Sequence, residues 1–422
     1  MQKEWFRLDT AALIFPATAR RDWCNGFRLS VSLKEPVDPE LLQRAVDDMT
    51  VRFPSFFVTL QRGAFWYYLE KSRERVTVQP DYAYPLTFMS RRELRKNCLR
   101  VLYYKNRIAL EFFHSLTDGH GGSVFLCTLA AHYLELKHGI SIPCGDLILD
   151  LSQQPSEREL EDSFLKNAAG VAAPRDEQPS FRLSGTREEG GFRHLTTGIV
   201  DTEVLIDAAH KFKVSVTAFL AAVMAESIIG MQDEVRPRRR QRPVKITLPV
   251  DLRRLFGSET LRNFALVVNP GVDPRFGDYS LEQLCSAVYH QLCAEATPQN
   301  MAGMIAANVQ PQQLIVLQLA PVFIKDTVMD LVYRRNGESG GSINISNLGA
   351  VKLPEMMQPY IERMEFIIGP QRSYPNNCSV LSIGGKTYIN MIRNIRESEL
   401  ERRFFSRLVE LGIAVDIESN RR

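Results

Sequence analysis

The spacing of apolar and polar residues predicts alternating helices and strands in the first 150 residues. The segment PVDPELLQRAVDDMTVRFPSF favours a helix, because its apolar residues share one face, Asp38 suits the N-cap and Pro39 the first helical position. Five runs rich in aromatic and β-branched residues then predict an antiparallel sheet: FFVTLQ, AFWYYLE, RVTVQP, LRVLYYKN and RIALEFFHS. The apolar segment SVFLCTLAAHYLELKHG predicts a long helix that ends at Gly139.

Residues 151–192 differ from what precedes them. They are polar and rich in proline, glycine and charge, which is typical of a linker or surface excursion, with room for a short helix over Glu157–Asn167. The regular pattern resumes at Arg193 with the strand HLTTGIV and a helix that begins at Asp201. The next segment, SVTAFLAAVMAESIIGM, is apolar on most faces and therefore predicts a buried helix.

The remaining chain predicts further strands and two amphipathic helices. The strand-like runs are VKITLPVDLR, ALVVNPGV, SINISNLG, RMEFIIGP, CSVLSIGG and TYINMIR, and the helices are SLEQLCSAVYHQLCAEA and ELERRFFSRLVELGI. Helices beside a mixed or largely antiparallel sheet in each half indicate an α+β fold. For 422 residues we expect two domains, 1–150 and 193–422, joined by the linker 151–192.

Composition narrows the class of protein. With 45% hydrophobic and 24% charged residues the chain is an ordinary globular protein, which excludes a disordered one. The balance of 52 basic against 49 acidic residues argues against a nucleic-acid-binding surface. The seven cysteines include no CxxC pair, so neither a disulfide framework nor a structural zinc site is expected. No run of 18 apolar residues is present, so we expect no membrane span and a soluble, cytoplasmic protein.

The residues with the clearest chemical potential lie between a predicted strand and a predicted helix. The run FFHSLTDGHGG follows RIALEFF and places His114, Asp118 and Gly119 on the connecting loop. A histidine there can project into a cleft, and its ordinary pKa suits a general base at neutral pH. A carboxylate four residues later could orient the ring or the loop, and the glycines permit backbone geometry that other residues resist.

The run HSLTDG resembles the HxxxDG motif of the coenzyme A-dependent acyltransferase superfamily, which includes chloramphenicol acetyltransferase, the plant BAHD enzymes and condensation domains. Three other segments are similar to parts of these proteins. The opening WFRLDTAALIFP is like bacterial members described as alcohol acetyltransferases, LPVDLRRLFGSETLRNF is like a (V/I)-D-x-R segment followed by an Asn-rich turn, and SINISNLG is like a late strand beside the histidine. Together they span about residues 5 to 350 in the family's order.

This resemblance implies two chloramphenicol-acetyltransferase-like domains with an active-site tunnel at their interface. It implies that His114 is the general base and that Asp118 is structural, paired with Arg253 or, failing that, Arg254. Gly119 would permit the tight turn. The oxyanion of the tetrahedral intermediate needs a hydrogen-bond donor, and three residues of the late strand are equal candidates: Asn344, Ser346 and Asn347.

The resemblance also implies the co-substrates. These are an acyl-coenzyme A, or an acyl group on the phosphopantetheine of a carrier protein, and a small alcohol or amine acceptor. No tightly bound cofactor and no metal are expected, and two domains in one chain make a monomer sufficient. Condensation domains carry two adjacent histidines where this chain has Phe113 before His114, and the plant DFGWG motif is absent. His120 has no role in the family pattern.

Several segments of the sequence are open to more than one interpretation. Asn347-Leu348-Gly349 could be only a turn, and Asp118 and Arg253 could be separate surface charges. The run Arg236–Pro243 has five arginines and is either a solvated loop or a contact for coenzyme A phosphates or an acidic carrier protein. Three functions therefore stand: a coenzyme A-dependent acyltransferase, a carrier-protein-dependent, condensation-like enzyme, and an inactive binding protein of the same fold.

Overall fold

The computed structural model describes residues 5–19, 25–173, 178–314, 318–332, 340–371 and 374–420. The helices in chain order are α1 Ile14–Thr18, α2 Pro39–Asp48, α3 Arg91–Leu94, α4 Gly119–His138, α5 Glu157–Leu160, α6 Ser163–Asn167, α7 Thr202–Lys211, α8 Val216–Val235, α9 Arg253–Phe256, α10 Leu281–Glu295, α11 Pro298–Gln313, α12 Val322–Val332 and α13 Glu399–Glu410.

The strands in chain order are β1 Trp5–Arg7, β2 Gly26–Leu33, β3 Val58–Arg62, β4 Tyr67–Lys71, β5 Val78–Pro80, β6 Leu99–Tyr104, β7 Arg107–Phe113, β8 His194–Asp201, β9 Val244–Asp251, β10 Ala265–Val268, β11 Gly271–Val272, β12 Ile343–Ala350, β13 Ile361–Ile368, β14 Asn376–Ile383, β15 Lys386–Arg393 and β16 Asp416–Ser419.

The helices form where local signals are strongest. In α2 the side chain of Asp38 accepts hydrogen bonds from the backbone N–H groups of Glu40 and Leu41, with Pro39 at the first position, as predicted. Helix α4 ends at Gly139, which adopts a left-handed conformation with φ of +65°. Helix α8 is largely buried, which confirms the interpretation of its all-round apolar sequence.

The strands form three sheets. A five-stranded sheet has the order β13-β2-β7-β6-β5, an eight-stranded sheet runs β10-β9-β12-β14-β15-β8-β16 with β11 beside β9, and a three-stranded sheet has the order β1-β4-β3. The five early strand runs therefore do not share one antiparallel sheet, since β4 pairs with β1 and β3 in a separate sheet and β5 pairs with β6 in parallel. Alternation identifies a strand but does not select its partner.

Two large hydrophobic cores among the described residues mark two lobes. The first lobe surrounds the five-stranded and three-stranded sheets, and its core includes Phe27, Phe112 and Phe125. The second lobe surrounds the eight-stranded sheet and buries α8 against α10 and α13. One strand crosses between sequence halves: β13 pairs antiparallel with β2, so residues 361–368 complete the sheet of the first lobe. The fold is α+β with two lobes.

The segment 151–192 packs more closely than its polar composition predicts. Phe164 on α6 is fully buried in the core of the second lobe. Glu159 forms a bidentate ion pair with Arg52 of the first lobe, with both N–O distances at 2.7 Å. The segment therefore connects the two lobes along the chain and also makes contacts with both of them.

Helix α8 is long and apolar enough, by length and composition, to cross a membrane, and it is the one such helix in the described part of the chain. In its most apolar window 61% of the residues are buried inside the protein. Such burial is what the core helix of a folded lobe requires.

Candidate active site

His114 lies at the end of β7, where the first lobe meets the second. Its backbone N–H donates to the carbonyl of Asn25 at 2.8 Å, which continues the pairing of β7 with β2 by one residue. The imidazole stacks on the ring of Phe15 with centroids 4.4 Å apart, and the edge of Phe27 packs against it at 5.1 Å. The ring is thus held on two sides by aromatic groups and is only partly exposed.

A residue of the second lobe binds the histidine ring. Asn263 lies just before β10, and its Oδ1 is 3.0 Å from His114 Nδ1. Its Nδ2 donates to the backbone carbonyl of His114 at 3.0 Å and to Oδ2 of Asp9 at 3.1 Å. Neither Asn263 nor Asp9 was assigned a role from the sequence, although both lie in segments that carried the family resemblance.

Asp118 points away from the histidine and into a buried ion pair. Its two carboxylate oxygens accept one hydrogen bond each from the terminal nitrogens of Arg253, both at 3.0 Å. Asp118 also accepts from the backbone N–H of Phe264 at 2.8 Å and caps α4 through Gly121. Arg254, the alternative partner, is exposed. Asp118 therefore joins the motif loop of the first lobe to the second lobe.

Burial by itself would raise the pKa of Asp118, but the Arg253 charge and its hydrogen bonds hold that pKa below its ordinary value. The pKa of the Arg253 guanidinium is raised in turn, because Asp118 and Asp251 outweigh the effect of burial. Both groups are charged at neutral pH, so the pair fixes geometry and cannot exchange protons with a substrate.

Two glycines allow the lobes to approach each other at the motif. A Cβ on Gly119 would lie 2.5 Å from a terminal methyl group of Leu348, so the end of β12 packs directly on the start of α4. A Cβ on Gly121 would lie 2.2 Å from the backbone carbonyl oxygen of Leu261. Thr117 donates to that same carbonyl at 2.6 Å. Gly119 has no positive φ, so its role here is close packing rather than an unusual turn.

The three candidate oxyanion residues lie on β12 beside this contact. None of them hydrogen-bonds to the imidazole within the described part of the chain. Asn347 donates to Thr217 at 3.0 Å and its Oδ1 accepts from the backbone N–H of Gly349, which supports the turn interpretation. Asn344 faces away from the core residues Ile343 and Ile345, and its buried Oδ1 has no hydrogen-bond partner among the described residues. Ser346 is partly buried.

Burial lowers the pKa of His114 below its ordinary value, against the opposite influence of its own carbonyl and the charge of Asp118. The ring is therefore neutral at physiological pH and can accept a proton. Burial also lowers the pKa of the neighbouring His120, with a further contribution from Arg253. Ser115 is fully buried and donates to the carbonyl of Ala12 at 3.1 Å, so its hydroxyl is part of the packing between β7 and the opening segment.

In the described residues no group of three or more His, Cys, Asp or Glu side chains is arranged to hold a metal ion. An open cavity of about 350 Å³ lies elsewhere, at the arginine-rich loop, and is lined by Gln178, Pro179, Gln241, Arg242, Pro243 and Arg275.

No protein-family model matches the sequence, and no curated protein matches it. Solved structures do match. The chain resembles trichothecene 15-O-acetyltransferase from Fusarium sporotrichioides with a TM-score of 0.61 at 11% identity, covering 96% of this chain and 94% of that one. It resembles polyketide synthase associated protein 5 from Mycobacterium tuberculosis with a TM-score of 0.58 at 16% identity, covering 96% of both.

A third structure is the starter condensation domain of rhizomide synthetase, in complex with C8-CoA and Leu-SNAC. The TM-score is 0.60 at 14% identity, over 97% of this chain and 94% of that one. At these identities the similarity establishes the fold. The chain thus has the two-lobed α+β fold found in coenzyme A-dependent acyltransferases and condensation domains.

Proposed function

We propose that this protein is an acyltransferase that moves an acyl group from acyl-coenzyme A to an alcohol or amine, with His114 as the general base. The observation that supports the proposal is that the two polar side chains of the motif make different contacts. The neutral imidazole of His114 is held at the junction of the lobes, while Asp118 turns away to Arg253. The resemblance of the opening segment to bacterial alcohol acetyltransferases makes alcohols the first acceptors to test.

The proposed reaction needs no metal and no covalent enzyme intermediate. His114 takes the proton from the acceptor hydroxyl or amine as that oxygen or nitrogen attacks the thioester carbonyl. The tetrahedral intermediate then breaks its C–S bond, and the protonated imidazole returns its proton to the departing thiolate. The products are an ester or amide and free coenzyme A. Asn344 or Ser346 would donate to the oxyanion, since Nδ2 of Asn347 already donates to Thr217.

The experiment is free-thiol release from acetyl- and longer acyl-coenzyme A in the presence of pooled alcohols and amines, with His114→Ala as control. Acceptor-dependent release that falls by at least about 100-fold in the variant would support both the reaction class and the base. Silence with every donor and acceptor, in folded protein, would contradict the proposal and favour the carrier-protein or the inactive binding alternative.

A second candidate takes its acyl group from a carrier protein. The supporting observation is the loop Arg238–Arg240, whose three side chains are exposed, next to the cavity lined by Arg242 and Arg275. Exposed arginines suit the acidic surface and phosphate of a loaded carrier. Binding of a loaded acyl carrier protein that weakens with salt, and that is reduced by Arg239→Gln, would favour this donor over free coenzyme A.

A further inference from the structure

We infer that Asp9 and Asn263 are positioning residues that fix the tautomer of His114. They hold the proton on Nδ1 and leave the lone pair of Nε2 for the acceptor. This inference deepens the proposed function and rests on it for its catalytic meaning. The hydrogen-bond pattern behind it stands independently of any activity.

The orientation of the Asn263 amide follows from its neighbours. One end of the amide lies within hydrogen-bond distance of the backbone carbonyl of His114 and of the carboxylate of Asp9, at 3.0 and 3.1 Å. Both of these groups are acceptors, so that end must be the NH₂ group. The other end, 3.0 Å from His114 Nδ1, must then be the oxygen. The amide is therefore assigned from chemistry and is not free to flip.

The tautomer of the histidine follows in turn. The Asn263 oxygen can only accept, so His114 Nδ1 must carry a hydrogen to donate to it. In a neutral imidazole only one nitrogen is protonated, and Nε2 is therefore the basic nitrogen. This is the arrangement a general base needs, because the nitrogen that is not hydrogen-bonded to Asn263 receives the acceptor's proton.

Asp9 is the group that fixes the amide. It has no exposed surface, and its carboxylate accepts from the backbone N–H of Ala12 at 2.7 Å and from both the backbone and side chain of Asn263. Every one of these contacts is an N–H donor, which is the environment of an ionised carboxylate. Arg262, 3.7 Å away, supplies the nearest positive charge.

The hydrogen-bonded set of Asp9, Asn263 and His114 brings together three distant parts of the chain. Asp9 lies before α1, His114 follows β7, and Asn263 precedes β10. Helix α1 also supplies Phe15, which stacks on the same imidazole. The opening segment therefore does two things for His114: Phe15 fixes the plane of the ring, and Asp9, through Asn263, fixes which nitrogen holds the proton.

The deciding measurement is the tautomer of His114 by ¹⁵N NMR of full-length protein labelled at histidine, with His114→Ala used to assign its signals. We expect protonated Nδ1 and unprotonated Nε2 in the wild type near pH 7.5. In Asn263→Leu, which has similar volume and no polar group, only the backbone carbonyls of His114 and Thr117 still attract the ring proton, and the fraction of rings protonated on Nε2 should rise measurably. A wild-type ring protonated on Nε2 overturns the inference, whether or not the protein shows transferase activity.

Kinetics supply the second readout. Asn263→Leu should lower kcat by about 10- to 100-fold while the KM for the acyl donor changes less than about twofold, since the base and not the binding surface is affected. Asp9→Asn should have a smaller effect in the same direction, because one amide oxygen can still accept from one side. Thr197→Val removes a buried 2.6 Å hydrogen bond to Asn390 in the second lobe and serves as a matched structural control.

If Thr197→Val lowers kcat as much as Asn263→Leu does, the effect is general destabilisation and the inference fails. Rates unchanged in Asn263→Leu with an unchanged tautomer also overturn it. Absence of transfer in the wild type with every donor would instead reject the proposed function. In that case the NMR result alone still decides whether Asp9 and Asn263 set the tautomer.

Discussion

Two buried aspartates lie at the junction of the lobes, and they behave differently. Asp118 is 6% exposed and Asp9 has no exposed surface, and each accepts a backbone hydrogen bond from the same short segment, at Phe264 and Asn263 respectively. Asp118 has a bidentate bond to Arg253, whereas the nearest cation to Asp9 is Arg262 Nε at 3.7 Å. Burial raises the pKa of Asp9 to about 6, while Arg253 keeps that of Asp118 low.

The difference shows that depth of burial does not determine the state of a carboxylate. A bidentate guanidinium compensates for lost hydration, whereas amide donors at similar distances compensate only in part. Asp118 is therefore a permanent structural charge. Asp9 is ionised at neutral pH but takes up a proton at a higher pH than an ordinary aspartate. It lies beside Asn263, the residue that contacts the proposed base.

The largest expected effect comes from breaking the Asp118 pair. Arg253→Met removes the cation and leaves Asp118 buried and unpaired, which should lower the free energy of unfolding by about 3–5 kcal/mol. Urea denaturation measures it. Arg254→Met, at the adjacent exposed position, should change the stability by less than about 0.5 kcal/mol. Equal losses of unfolding free energy in the two variants would show that the Asp118–Arg253 ion pair does not stabilise the contact between the lobes.

The two glycines that follow Asp118 in the first turn of α4 should differ in how much stability an alanine substitution removes. In Gly121→Ala the new methyl group meets the backbone oxygen of Leu261, which cannot move away, and we expect a loss of about 2–3 kcal/mol. In Gly119→Ala it meets only the flexible end of Leu348, and the loss should be below about 1 kcal/mol. Thermal unfolding of the two variants gives the comparison, and the reverse order would contradict the packing described.

The two aspartates should give opposite pH dependence of stability. The pKa of Asp9 is above the ordinary value of 3.8, so folded protein binds its proton more tightly than unfolded protein does. Its contribution is present at low pH and is lost as pH rises from about 4 to 6, by about 1–3 kcal/mol. The contribution of Asp118 is present above its unfolded pKa and is lost as pH falls.

Asp9→Asn tests this directly. Urea midpoints at several pH values between 4 and 7 should show that the variant gains stability relative to wild type as pH rises. A constant difference between the two proteins over this range would mean that Asp9 titrates at its ordinary pKa.

The smallest expected effect is on the pH dependence of the proposed acyl transfer. Because burial lowers the pKa of His114 in the free protein, the fall in kcat/KM should begin at a lower pH than an exposed histidine would give. A pH profile of kcat/KM in Asp9→Asn separates this limb from the titration of Asp9. A midpoint above 6.5 in that variant would contradict the cause we assign.

Local features of the fold could be predicted from the sequence because they depend on neighbours in the chain. The caps of α2 and α4 and the buried character of α8 are of this kind. Pairing between distant segments could not be predicted. The alternation in RMEFII marks a strand, but nothing in it shows that its partner is β2, more than 300 residues earlier.

The same limit applies to the site. His114 and Asp118 are proposed from their spacing, and the family pattern pairs Asp118 with Arg253, whose terminal nitrogen lies 3.0 Å from it in the structure. Asn263 and Asp9 have no spacing signal, since 254 positions separate them and each is an ordinary polar residue in its own segment. The sequence signal that points to them is that both lie in segments that carry the family resemblance, LDTAAL and LRNF, each with polar residues in an otherwise apolar setting.

The position of β13 has a consequence for how the protein is made. The first lobe cannot complete its sheet until residues 361–368 have been synthesised, so β2 waits with an open edge while most of the chain emerges. During that interval the unpaired edge is a place where nascent chains can associate wrongly. The lobe that supplies His114 is thus translated largely before the second lobe but completes its sheet only near the end, which makes the order of synthesis part of how this site is built.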